Sequence, residues 1–117
     1  MRYFLATAML LGCFSTQAKS EDLSGLELFD QCTSDSEQLR TTCDVWINGF
    51  EAGFSSAREA GFLEPRICFP DGFTGAQAAI IIKKFMNEYP HLLRYNAKLV
   101  ATVALANEFP CPEPEAD

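Results

Sequence analysis

The stretch SDSEQLRTTCDVWINGFEAGFSSAREAG, residues 34–61, decides the fold. Its apolar positions Leu39, Cys43, Trp46, Ile47, Phe50, Phe54 and Ala57 recur at intervals of four, three and one. That spacing draws one stripe down a helix and does not fit the alternation of a strand. Ser34 or Asp35 is positioned to cap the start, and Gly61 is a natural stop. Two glycines, Gly49 and Gly53, sit one helical turn apart inside this segment. Each costs a helix about 1 kcal/mol relative to alanine, so something is expected to approach the backbone there: either another helix of the same chain or a second copy across a symmetric seam.

Working outward, helices continue on both sides. Ser24-Gly25-Leu26-Glu27 has the form of a capping box, with Leu23 and Leu28 spaced as a hydrophobic staple, so a short first helix is predicted from there to about Cys32. After the long helix, Phe62 to Phe73 carries two prolines, Asp71-Gly72 and Cys68, and reads as an ordered loop. Thr74-Gly75-Ala76-Gln77 repeats the capping pattern and opens a third helix with Ala78, Ile81, Ile82, Phe85 and Met86 inward. Pro90 ends it and, being tolerated in a first turn, is expected to open a fourth helix through Leu93, Ala97, Val100 and Ala104 toward Phe109. The fold class is therefore all-α: a compact four-helix domain arranged as two helical hairpins.

The N-terminus reads as an export signal. Arg2 precedes a run from Tyr3 to Phe14 that is apolar apart from Thr7 and Gly12, too short to span a bilayer as a helix. Thr16-Gln17-Ala18 then offers small residues where a signal peptidase reads, so residues 1–18 are assigned to a signal and residues 19–117 to one domain. The rival reading is Leu10-Leu11-Gly12-Cys13 as a lipoprotein box with Cys13 as the lipidated anchor. Under both readings Cys13 stands outside the folded domain.

That leaves Cys32, Cys43, Cys68 and Cys111, an even set that an oxidising compartment pairs into two disulfides. Three pairings are open on count alone. Antiparallel third and fourth helices bring Cys68, ahead of one, beside Cys111, after the other. Cys32 at the end of the first helix and Cys43 about two turns into the second suit a cross-link fastening a bent hairpin. The expected pairs are Cys32 with Cys43 and Cys68 with Cys111.

Residues 19–117 carry eight basic against sixteen acidic residues, a net charge of −8. Such a surface repels nucleic acid and anionic headgroups and would draw in a basic partner. No second hydrophobic span follows the signal, so no membrane association is expected after cleavage. The only histidine, His91, has no nucleophile and orienting carboxylate at a recognisable spacing, which argues against an enzyme. The cysteines are separated by ten, twenty-four and forty-two residues, without the close couples of a zinc site. Neither a metal nor a cofactor is expected.

The ordered landmarks resemble the Rap/Tai family, immunity proteins paired with peptidoglycan amidase toxins of the type VI secretion system. The matching residues are Gly25, Leu28 and Cys32; Cys43, Trp46, Ile47 and Gly49; Cys68-Phe69-Pro70-Asp71-Gly72-Phe73-Thr74 with Gln77; Phe85 to Pro90; Ala97, Val100 and Ala104; and Phe109-Pro110-Cys111. The chain departs from the pattern at Trp46, Ala78 and Tyr89, where the family commonly has tyrosine, leucine and histidine. The resemblance implies a periplasmic, disulfide-bonded, all-helical protein, often a homodimer, that binds a secreted amidase and blocks its cleft without catalysing anything itself. The candidate partner surface is the Phe62 to Phe73 loop with Glu64, Arg66 and Asp71; the turn carrying Glu88, Tyr89 and His91 is the second candidate. The alternative is a helical binding or structural protein of the periplasm with no toxin partner.

Overall fold

The computed structural model describes residues 22–61 and 67–113. The signal, the Cys13 box, Glu64 and Arg66 lie outside the described residues. Four α-helices follow one another: α1 (Gly25–Cys32), α2 (Glu37–Glu59), α3 (Gly75–Glu88) and α4 (Ala97–Glu108), with a 3₁₀ turn over Pro90–Arg94. There is no strand among the described residues, only two isolated antiparallel bridges, Ser24 with Asn96 and Ile67 with Pro110.

Local sequence dictates most of these ends. In α1 the Glu27 amide donates to Ser24 Oγ at 3.1 Å and the Ser24 amide donates to Glu27 Oε2 at 3.2 Å, completing the capping box. Thr74 and Gln77 do the same for α3, at 3.3 and 2.9 Å. The long helix stops at Glu59, and Gly61 follows with φ of 80°, a left-handed conformation that glycine adopts without strain.

Two boundaries differ from expectation. α2 is capped by Ser36, whose hydroxyl accepts from the Leu39 amide, while Ser34 and Asp35 stay in the preceding turn and Ser34 accepts there from the Ser36 amide. Pro90 opens a 3₁₀ turn, and α4 starts only at Ala97, where Asn96 Oδ1 accepts from the Lys98 amide at 2.8 Å. A second capping residue six positions after Pro90 restarts the helix in a new direction, so α3 and α4 are joined by a turn with its own buried residue, Leu93.

The core collects Leu28 and Cys32 from α1, Cys43 and Ile47 from α2, Ala78, Ile82, Phe85 and Met86 from α3, and Ala97, Val100, Ala101, Ala104 and Leu105 from α4, together with Leu93 and Ile67. α2 packs on α1 and α3, α3 on α4, and α1 closes the arrangement by touching α4 and the 3₁₀ turn. The N-terminal segment is stitched to that turn: the Gly25 amide donates to Tyr95 O at 2.7 Å and the Ala97 amide to Leu23 O at 2.8 Å. A Cβ on Gly25 would stand 2.9 Å from Leu93 O and 3.0 Å from Leu93 Cα, so glycine permits the close approach of α1 to the turn.

Both expected cross-links form: Cys32 with Cys43 and Cys68 with Cys111, with Cα separations of 5.1 and 5.0 Å. The expectation for Gly49 and Gly53 is corrected in part. Among the described residues, no atom beyond the helix's own backbone lies within 4 Å of a Cβ built at either position, so none of the described helices packs there. Leu39 is likewise not a core residue: it is 43% exposed at the first turn of α2, where the stripe runs past the end of its neighbours.

Candidate functional site

The last turns of α2 and the segment Cys68–Phe73 enclose a cleft of about 460 Å³. Its α2 wall carries Glu51, Ser55, Arg58 and Glu59, spaced by four, three and one so that they share one helical face. The opposite wall is Phe69, Pro70, Asp71, Gly72 and Phe73. Gly72 has φ of 75°, which turns the chain tightly and leaves Asp71 exposed at the rim.

Aromatic stacking fixes the floor. Phe69 and Phe73 lie parallel with centroids 4.7 Å apart, and both meet Phe109 edge-on, at 6.0 and 5.0 Å. Phe54 touches Phe69 edge-on at 6.1 Å, and Phe50 and Trp46 extend the row along α2. Two hydrogen bonds add ties: the Cys68 amide donates to Phe109 O at 2.9 Å, and the Arg58 side chain donates through Nη1 to Ile67 O at 2.8 Å. Arg58 is thereby committed to holding the segment, and Ser55 donates its hydroxyl to Glu51 Oε1 at 3.0 Å. What the cleft presents outward is carboxylate: Glu51, Glu59 and Asp71 against the single guanidinium.

Such a site is chemically equipped for docking. It has a rigid aromatic floor, a polar rim of one predominant sign, and a serine whose proton is engaged with a carboxylate and which has no imidazole beside it. Among the described residues no three His, Cys, Asp or Glu side chains are grouped to hold a metal ion, and no helix is long and apolar enough to cross a membrane.

Of the residues singled out from sequence, Asp71 lines the cleft. Glu88, Tyr89 and His91 do not join it. They stand at the far end of α3, about 20 Å of helix away at 1.5 Å per residue. There Tyr89 packs on Phe85 with centroids at 4.7 Å and meets His91 edge-on at 6.2 Å, while Glu88 faces Lys84 at 3.9 Å. Sequence reasoning missed Glu51, Arg58 and Glu59. The signal was available, since these positions recur along one flank of the apolar stripe, but only the fold brings that flank up to Cys68–Phe73.

No curated protein matches the chain. Residues 24–111, about three quarters of the sequence, match the family of Rap1a immunity proteins, from the capping serine of α1 through the second cysteine of the Cys68–Cys111 pair. By that match, and with the fold and both disulfides in accord with it, the chain belongs to the Rap1a immunity protein family.

Proposed function

We propose that residues 1–18 direct export, that residues 19–117 fold as a single domain in the periplasm, and that this domain binds a type VI-secreted peptidoglycan amidase and occludes its cleft. Family membership across residues 24–111 is the observation that carries this reading. Two disulfides fit an oxidising compartment. The preorganised Cys68–Phe73 wall favours tight docking, because a segment already fixed loses little entropy on binding. Inhibition by occlusion needs no catalytic group on the inhibitor.

The partner surface is assigned to the 62–73 loop with Glu64, Arg66 and Asp71, extended by Glu51 and Glu59 across the cleft; the Glu88, Tyr89 and His91 turn is the alternative patch. Co-purification with an amidase encoded in an adjacent reading frame, and loss of its peptidoglycan hydrolysis on mixing, test the function. Replacing Glu64, Arg66 and Asp71 together with alanine is expected to weaken affinity by roughly tenfold to a hundredfold. Unchanged affinity moves the surface to the second patch; no binding to any co-encoded amidase dismisses the function.

The same reading includes a homodimer built on the open face of α2. Among the described residues Gly49 and Gly53 have no neighbour outside their own helix within 4 Å of a Cβ, and Val45 on that helix is 66% exposed. Light scattering of the purified protein should give twice the chain mass, and Gly49→Glu, whose Cβ has no neighbour within 4 Å among the described residues outside its own helix, should halve it. A monomeric unsubstituted protein dismisses the seam.

A further inference from the structure

The two disulfides occupy unlike surroundings. Cys43 is fully enclosed and Cys32 is 7% exposed, both within the core. Cys32 is the last residue of α1 and Cys43 lies inside α2, so a reagent reaches their sulfurs only when those helices part. Cys68 and Cys111 are partly exposed and lie outside the helices, one at the head of the Cys68–Phe73 wall and the other after α4. The non-helical stretches they join are otherwise held by the Cys68 amide to Phe109 O hydrogen bond, the Ile67–Pro110 bridge, the Arg58 side chain on Ile67 O, the buried Ile67 side chain, and the Phe54, Phe69, Phe73 and Phe109 rings. Local opening of such a stretch requires far less structure to be lost than separation of two core helices.

We propose that Cys68–Cys111 is a redox-labile latch. A dithiol reductant opens it selectively, freeing the Cys68–Phe73 wall and the chain after Phe109, while the four helices and Cys32–Cys43 stay intact. One thiolate of the dithiol attacks a sulfur of the pair, forming a mixed disulfide and releasing the other sulfur as a thiolate. The second thiol of the reductant then closes on the mixed disulfide. Cys68 and Cys111 end as thiols, having gained two electrons and two protons, and the reductant ends as its disulfide. Access governs the rate of the first attack, and it differs between the two pairs. The consequence for partner binding rests on the reading above, since the freed wall is the one assigned to the partner; the order of opening does not.

The test uses the oxidised full domain and dithiothreitol at mildly alkaline pH, with samples alkylated at intervals and mapped by peptide mass. Cys68 and Cys111 should become alkylated roughly tenfold or more faster than Cys32 and Cys43. In the half-reduced form the far-ultraviolet circular dichroism should be retained, and hydrogen exchange should rise at the Cys68 and Phe73 amides. The Cys68→Ser/Cys111→Ser double variant should keep the same helical signal. Simultaneous alkylation of both pairs, earlier alkylation of Cys32 and Cys43, or loss of helix as Cys68–Cys111 opens or in the double variant overturns the latch. Because these readouts need no partner, they stand or fall separately from amidase binding.

Discussion

Complete reduction of both disulfides is expected to lower the stability of the folded domain by about 7 kcal/mol, a large share of what holds it folded. The chain-entropy relation assigns about 3 kcal/mol to a cross-link spanning 11 residues and about 4 kcal/mol to one spanning 43. A domain of this size has roughly 5–15 kcal/mol in total. Urea titration of the oxidised protein, against protein reduced under denaturing conditions and returned to buffer with excess dithiol, measures the difference. A reduced form that refolds with the same urea midpoint would contradict it.

The longer cross-link thus contributes more to global stability while being the easier one to reach. There is no conflict, because the two quantities refer to different reactions. Loop-closure entropy measures how much the unfolded chain is restricted over its whole length. Access measures how little of the native structure has to move for a thiolate to touch sulfur. Cys32–Cys43 restricts a short loop but is sealed in the core; Cys68–Cys111 restricts a long loop but closes it between two partly exposed cysteines outside the helices. Partial reduction and full reduction should therefore be separate stages, the first changing the cleft wall and the second changing the fold.

What was legible in the sequence follows the range of the interactions. Capping boxes act over three residues, so Ser24 with Glu27 and Thr74 with Gln77 could be read directly. The stripe of α2 repeats over about five turns, and Cys43 and Ile47 are buried where it placed them. Cysteine pairing was legible because helix ends, once located, restrict which sulfurs meet. Reading failed where two local signals competed: Ser34, Asp35 and Ser36 all cap acceptably, and Pro90 and Asn96 both start helices. It failed again where the decisive contact is non-local. Glu51, Arg58 and Glu59 become a wall only because Ile67 and Cys68 return to α2, and the open face at Gly49 and Gly53 could not be told from a packed one without the neighbouring helices.

Substitution of Gly25 by alanine should be among the most damaging single changes, although it adds one methyl group and replaces a poor helix former by the best. At an open helical position the exchange stabilises by up to about 1 kcal/mol. At Gly25 the new Cβ meets Leu93 O at 2.9 Å, Leu93 Cα at 3.0 Å and Val100 Cγ2 at 3.1 Å. Two of these are backbone atoms of the 3₁₀ turn and cannot rotate away. Moving α1 aside would stretch the 2.7 Å hydrogen bond from the Gly25 amide to Tyr95 O and loosen Leu28 and Cys32 in the core. A cost of about 3 kcal/mol is expected. Gly75→Ala is the informative contrast. There the obstruction is chiefly the Asn48 side-chain amide, a group that can swing out to solvent, with Asn48 Cα behind it at 3.2 Å. Its cost should be about 1 kcal/mol and should fall when Asn48→Ala is added, whereas Gly25→Ala should be indifferent to Asn48. Urea midpoints of the two single variants and the two doubles decide the matter; equal losses for Gly25→Ala and Gly75→Ala would mean that the 3₁₀ turn yields as readily as a side chain and does not anchor α1.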